Sequence, residues 1–211
     1  MSQLHPSPLL LFAPGAGAPS SSDWMRRYAA ALAGVGRVVA FDYPYQVEKR
    51  RRPDPLPKLV AAHEQALQKA KASATEPVFL LGKSMGGRIG CHVALSTHVQ
   101  ALVCFGYPLC GQGDPNKRRD GVLKELRRPV LFVQGTRDAL CPLPLLHEVR
   151  QQMTARSELF VVEGGDHSLL VTQTELKRQS TTQAAIERAI VECVQRFVTS
   201  VCAEFDTSQA P

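Results

Sequence analysis

The hydrophobic positions fall into short unbroken blocks rather than one long stripe. Leu9–Ala13, Val38–Phe41, Pro77–Leu81, Ala101–Phe105, Pro129–Gln134 and Ser157–Val162 are mostly apolar, and each is bounded by polar, glycine- or proline-containing stretches. Blocks of this length predict buried strands. Because successive positions are apolar, both faces of each strand are covered, as in a parallel sheet lying between helices. The intervening segments carry the spacing of those helices. Ser20–Asp23 offers N-cap residues for a helix bearing Trp24, Tyr28 and Leu32, which Gly34 and Gly36 stop. Residues 58–72 place Leu59, Ala62, Ala66 and Lys69 or Ala70 at helical spacing, and Arg88–Leu95 repeats the pattern. A short helix is expected near 120–127, another over 143–152, and a last one over 181–198 with Ile186, Ile190, Val194 and Phe197 in one stripe. The final dozen residues are expected to fray. Residues 43–57, with four prolines and the run Lys49-Arg50-Arg51-Arg52, read as a surface loop.

Strands alternating with helices predict a three-layer α/β/α fold with a mostly parallel sheet of about six strands. No linker divides the chain, so one domain is expected over residues 1–211, with its core at 9–198. The connection 106–128 is too short to form a large lid. In such sheets the functional loops gather beyond the carboxyl ends of the strands, which directs attention to 14–18, 82–86, 135–141 and 163–168.

Gly82-Lys83-Ser84-Met85-Gly86 follows the third strand and opens a helix. A G-x-S-x-G at that junction predicts a sharp elbow: the glycines let strand and helix approach, and the serine hydroxyl stands clear of the sheet. The competing reading is a serine that only caps the helix. Asp138 follows the fifth strand in Gly135-Thr136-Arg137-Asp138, and His167 follows the sixth in Gly164-Gly165-Asp166-His167. Nucleophile, acid and histidine in that chain order make Ser84, Asp138 and His167 the expected catalytic residues, with the acid holding the tautomer of the base. His5, His63, His92, His98 and His147 are less well placed. An oxyanion needs donors aimed at its developing charge. The amide of Met85, one past the serine, and that of Ala16 in Pro14-Gly15-Ala16-Gly17-Ala18 are the candidates. An open site lined by Tyr43, Tyr45, Tyr107, Leu109 and Leu140 is expected, suited to small or soluble acyl substrates. The chemistry predicted is hydrolysis of an ester or thioester through an acyl-enzyme, of carboxylesterase type, with no metal and no organic cofactor.

Composition narrows this little. Of 211 residues, 44% are hydrophobic and 21% charged, as in ordinary globular chains. The net charge of +6 is concentrated at Lys49–Arg52, Lys117–Arg119 and Arg127-Arg128. Without zinc spacing or aromatic–basic interleaving, solvated loops account for these runs better than nucleic-acid binding does. They, or Arg137, can bias the substrate toward an anion. No apolar run approaches a membrane span, and Leu9–Ala13 lacks the basic flank of a secretory signal, so a soluble cytoplasmic protein is expected. Six cysteines show no CxxC spacing; Cys91 and Cys104 read as buried thiols, and Cys110 and Cys141 as more exposed loop residues.

Five segments resemble one family: Leu11-Phe12-Ala13-Pro14-Gly15-Ala16-Gly17, Gly82-Lys83-Ser84-Met85-Gly86-Gly87-Arg88, Tyr107-Pro108-Leu109, Pro129 to Asp138, and Gly164-Gly165-Asp166-His167-Ser168. Over about 9–198 the chain resembles the α/β-hydrolase superfamily. More narrowly, it resembles the hydrolase-like family that includes testis-expressed protein 30 and the hydrolase-like domain of the third regulatory subunit of the NSL acetyltransferase complex, with dienelactone-hydrolase-like proteins as broader relatives. The resemblance implies Ser84 as nucleophile, Asp138 as acid, His167 as base, and the absence of an N-terminal hairpin found in larger members. Many members open the oxyanion loop with His-Gly; here Pro14-Gly15 stands instead, which removes a side chain that braces the loop. Some relatives serve in protein complexes, so a non-catalytic interaction module is the alternative function, and a nucleic-acid-associated protein a more distant one.

Overall fold

The computed structural model describes residues 7–71 and 76–208. Its strands are β1 (Leu9–Ala13), β2 (Arg37–Ala40), β3 (Val78–Lys83), β4 (Ala101–Phe105), β5 (Val130–Gly135) and β6 (Ser157–Val162). They form one sheet in the order β2-β1-β3-β4-β5-β6, with every neighbouring pair parallel. Parallel neighbours need crossover connections. Helix α1 (Asp23–Leu32) joins β1 to β2, and α2 (Pro44–Val47) with α3 (Leu56–Ala70) joins β2 to β3. Helices α4 (Met85–Ser96), α5 (Gly121–Glu125) and α6 (Leu143–Gln152) make the next three crossings, and α7 (Gln173–Arg178) and α8 (Gln183–Ser208) follow β6.

The unbroken apolar blocks divide by alternation between two cores. Leu9, Leu11, Val78, Leu80, Leu102, Cys104, Val130 and Phe132 face one side, where α3 to α6 cover them through Leu67, Cys91, Val93, Val122, Leu123, Leu146 and Val149. Leu10, Phe12, Phe79, Leu81, Val103, Phe105, Leu131 and Val133 face the other, under Met25, Tyr28 and Leu32 of α1, Leu176 of α7, and Ile190, Val194 and Phe197 of α8. Period-two side-chain direction explains why residues apolar at every position are required. The chain leaves β1 toward β2 and then returns to add β3 on the other side, so the topological switch lies between β1 and β3. The 14–18 loop and the elbow at Ser84 stand at that crevice.

Several expectations change. Residues 43–57 are not all surface loop: α2 occupies Pro44–Val47 and buries Tyr45. Helix α7 is not marked by the apolar spacing, and α8 continues to Ser208 where fraying is expected. The helix expected over 58–72 spans Leu56–Ala70, and position 72, like His5, lies outside the described residues. Cys110 and Cys141 are fully buried rather than exposed. Burial pushes both thiols above their ordinary pKa, which makes them poor nucleophiles. Arg50 in the basic run is tied to Glu48 at 2.6 Å and Asp54 at 2.9 Å, while Arg51 and Arg52 are exposed, the arrangement of a solvated loop. Among the described residues, no helix is long and apolar enough to cross a membrane.

His63 of α3 is fully buried beneath Phe41, with Nδ1 3.1 Å from the Tyr43 hydroxyl. Desolvation pushes its pKa down to about 3. An unfolded chain takes up this proton near the ordinary value of about 6.5, so below that pH the unfolded state binds more protons than the folded one. The stabilisation is therefore complete above the unfolded value and is lost as pH falls from there toward the folded value. One such group contributes a slope of at most about 1.4 kcal/mol per pH unit. Urea unfolding near neutrality and in mild acid should show a smaller acid-induced loss for His63→Asn than for wild type. Identical pH dependence in both proteins would remove His63 as the source.

Candidate active site

Ser84 follows β3 and precedes α4 with φ 49° and ψ −115°, a conformation costly for any residue with a Cβ. The surrounding chain holds it there. Its amide donates to the Phe105 carbonyl at 2.8 Å, and its carbonyl accepts from the Arg88 amide. Gly82 and Gly86 make the bend sterically feasible. A Cβ on Gly82 would stand 2.1 Å from the Gly87 nitrogen, and one on Gly86 would stand 2.5 Å from the Ala13 carbonyl oxygen. Ser84 is the N-cap residue of α4 by position, yet its side chain makes no capping bond. The capping account of this serine therefore fails.

The hydroxyl goes elsewhere. Ser84 Oγ lies 2.8 Å from His167 Nε2, and His167 Nδ1 lies 2.7 Å from Asp138 Oδ2. The Asp138 side chain is wholly buried, whereas that of His167 retains 28% exposure, so the relay runs from the interior to an open edge. Asp138 is held on both oxygens: Oδ2 also accepts from Gln134 Nε2 at 2.6 Å, and Oδ1 accepts from the Leu140 amide at 2.8 Å. Gln134 is itself fixed, because its Oε1 accepts from the Tyr107 amide at 3.1 Å. A carboxylate so oriented keeps the proton of a neutral imidazole on Nδ1 and leaves Nε2 to receive the serine proton. Gly106, at φ 63°, lets the backbone pass beside His167; a Cβ there would stand 2.6 Å from the His167 carbonyl oxygen.

A family model described as an alpha/beta hydrolase domain matches residues 6–199. The chain belongs to that family. Among solved structures, dienelactone hydrolase from Anabaena variabilis superposes with a TM-score of 0.70 at 18% identity, covering 92% of this chain and 87% of that one. Est1E from Butyrivibrio proteoclasticus, with ferulic acid bound, gives 0.70 at 15% identity over 94% and 90%. An alpha-beta serine hydrolase homologue from Coxiella burnetii gives 0.67 at 18% identity over 93% and 86%. At these identities the likeness is one of fold. Fold and hydrogen-bonded Ser–His–Asp relay together are those of a serine hydrolase of carboxylesterase type.

The hydrolase braces its 14–18 loop in a way the sequence did not reveal. Tyr45 of α2 donates its hydroxyl to the Ala16 carbonyl at 2.9 Å, and Gln46 Nε2 donates to the carbonyls of Gly15 and Ala18 at 3.0 Å each. These bonds fix the carbonyls of Gly15, Ala16 and Ala18. They also hold Gly15 against the elbow, where a Cβ would touch Ser84 Cβ at 3.7 Å. Tyr45→Phe removes one bond without changing shape. It should lower kcat on a 4-nitrophenyl ester on the order of tenfold through loop misplacement, with KM little changed. Unchanged kcat would show that the brace is idle.

The expected lining residues need correction. Tyr43, Tyr107 and Leu109 have no exposed surface, and Tyr45 has almost none, so they offer no face to a ligand. Tyr43 pairs with His63, and Tyr107 donates to the Arg119 carbonyl at 2.7 Å; both are pillars under the loop layer. Leu140 is half-buried and contributes its amide to Asp138. Lys83, at the variable position of the elbow, links two loops. Its Nζ donates to the Ser168 hydroxyl at 3.1 Å and the His167 carbonyl at 3.3 Å, and it sits 4.8 Å above the Trp24 ring. Trp24 Nε1 donates to the Ser168 carbonyl at 2.9 Å. The lysine thus ties the elbow to the histidine loop. Burial lowers its pKa to about 8, against the opposing pull of Asp166 and Asp138. A hollow of about 460 Å³ lined by Val39, Phe41, Val47, Ala62 and Ala66 lies at the β2 edge and includes none of the relay residues. Its size does not make it the reaction site.

Proposed function

We propose that the protein hydrolyses small, soluble esters or thioesters through a Ser84 acyl-enzyme. The observation that carries the reading is the continuous relay from Ser84 Oγ through His167 to buried Asp138, at 2.8 and 2.7 Å. His167 takes the hydroxyl proton as Ser84 attacks the carbonyl, then passes it to the leaving alcohol or thiol. Water repeats the sequence against the acyl-enzyme. The amides of Met85 and Ala16 receive the oxyanion. Met85 begins α4, where unpaired amides and the helix dipole both favour negative charge.

The finer placement, with the hydrolase-like family that includes testis-expressed protein 30 and the NSL complex subunit, rests on the five segments quoted from the sequence. One domain over residues 1–211 agrees with the single sheet. A cytoplasmic location agrees with Cys91, Cys104, Cys110, Cys141 and Cys193 standing as free thiols. An anionic group on the substrate agrees with the chain's net charge of +6.

An alkyl fluorophosphonate probe tests the reaction directly. Wild type should be labelled at Ser84, with labelling much slowed by His167→Ala. A folded wild-type protein that resists the probe at every serine would end the hydrolase reading and leave the interaction module.

A further inference from the structure

Arg88 of α4 is a charged side chain for which the described residues supply no acid. It is one helical turn beyond Ser84 and half-buried; its Nε is closed off from solvent and has no hydrogen-bond partner. Its electrostatic neighbours are Tyr107, Cys91 and Tyr43, all ordinarily neutral, and a second cation, Arg119. Burial, and then Arg119, hold the Arg88 pKa below that of an ordinary arginine. Adjacent basic residues are neutralised: Lys117 pairs with Asp114 and Arg118 with Glu148. Arg88 and Arg119 make no ion pair among the described residues. A partly desolvated guanidinium left unpaired is costly, and a second cation beside it increases the cost. An anion would relieve both.

The position of the pair selects which anion. Helical side chains lean toward the helix N-terminus, so Arg88 reaches back toward the Ser84 end of α4. Tyr43 and Tyr107, which flank it, sit just beyond the carboxyl ends of β2 and β4. The Arg88 side chain therefore lies toward the same end of the sheet as Ser84 and His167. Tyr107, by bonding the Arg119 carbonyl, holds the Arg119 segment over this place. Four residues, about one helical turn, separate Arg88 from Ser84 along the chain.

We propose that Arg88 and Arg119 form a carboxylate subsite of the acyl pocket, so that the substrate is a half-ester or half-thioester of a short dicarboxylic acid. The inference rests on Ser84 being the nucleophile. Ser84 Oγ bonds to the ester carbonyl carbon, the alcohol departs with the proton from His167, and the acyl-enzyme keeps its free carboxylate against the Arg88 guanidinium. Water then adds to the acyl carbon, the Ser84 proton is restored, and the dicarboxylate leaves. The planar fork of a guanidinium matches a carboxylate, and an ammonium does not reproduce that match.

The test compares the mono-4-nitrophenyl ester of glutaric acid with 4-nitrophenyl valerate, equal in chain length, each corrected for spontaneous hydrolysis. The ratio of their kcat/KM values should favour the glutarate ester about tenfold or more in wild type. That preference should collapse in Arg88→Met, fall in Arg119→Gln, and persist in Arg118→Gln. Calorimetry on Ser84→Ala should detect glutarate binding, absent with valerate and lost when Arg88→Met is added. A wild-type ratio near one, or a ratio unmoved by both arginine variants, overturns the subsite while leaving the hydrolase reading intact. Glutarate binding through Arg88 in a protein that hydrolyses neither ester keeps the subsite and sinks the nucleophile reading.

Discussion

Ser84→Ala should lower kcat on 4-nitrophenyl esters by about four to six orders of magnitude. The size follows from what the hydroxyl does in this fold. It is not a helix cap, and its Oγ faces the one imidazole nitrogen left free by the carboxylate behind it. Removing it leaves the other relay members in place with nothing to activate, and only binding and oxyanion donors remain to help direct attack by water. The stability change should go the other way. The φ of 49° is a strain that alanine keeps and glycine relieves, so Ser84→Gly should raise the melting temperature, by relief on the order of 1–3 kcal/mol. An alanine variant retaining a hundredth of wild-type kcat would refute the assignment. A glycine variant less stable than wild type would refute the strain.

Asp138→Asn should cost about four orders of magnitude in kcat while leaving the protein folded. The hydrogen-bond inventory shows why no asparagine rotamer fits. Oδ2 accepts from both His167 Nδ1 and Gln134 Nε2, and Oδ1 accepts from the Leu140 amide. An amide NH2 in the Oδ1 position opposes the Leu140 N–H. In the Oδ2 position it opposes Gln134 Nε2, which cannot turn because its Oε1 holds the Tyr107 amide. That second arrangement also moves the imidazole proton to Nε2, where it can no longer receive one from Ser84. In either arrangement the charge that stabilises the imidazolium is lost. Fluorophosphonate labelling should slow in parallel with esterase activity. Loss of less than tenfold in both would remove Asp138 from the relay.

Much of this site can be read along the chain because its parts are local. The apolar blocks predict the strands to within a residue or two: 157–162 coincides with β6, and 129–134 is β5 shifted by one. A strand must hide both faces, and this need is written into every residue of the block. The elbow is equally local, since Gly82, Ser84 and Gly86 make contacts that any strand-to-helix bend of this sharpness requires. His167 and Asp138 meet because each follows a strand end, and strand ends in a parallel sheet converge.

Burial in the loops was another matter. Tyr43, Tyr107 and Leu109 carry the residue types of a binding surface, yet they are enclosed. Tyr45 and Gln46 lie in a segment whose prolines and arginines suggest solvent, yet both bond back to residues about thirty positions earlier. Lys83 occupies the variable position of a short pattern and reaches across to residues 167 and 168. No periodicity marks such contacts, because they depend on where distant segments meet.

The opening blocks of hydrophobic residues therefore determined the sheet, its two covered faces and the places where a nucleophile, base and acid could stand. Only the tertiary structure decided that the Ser84 hydroxyl bonds the imidazole instead of capping its helix, what braces the loop beside it, and that Arg88 lies half-buried without an acid. The physical reason is range. Strand burial and a steric bend are set by neighbours in sequence, whereas hydrogen-bond satisfaction and charge compensation are set by neighbours in space.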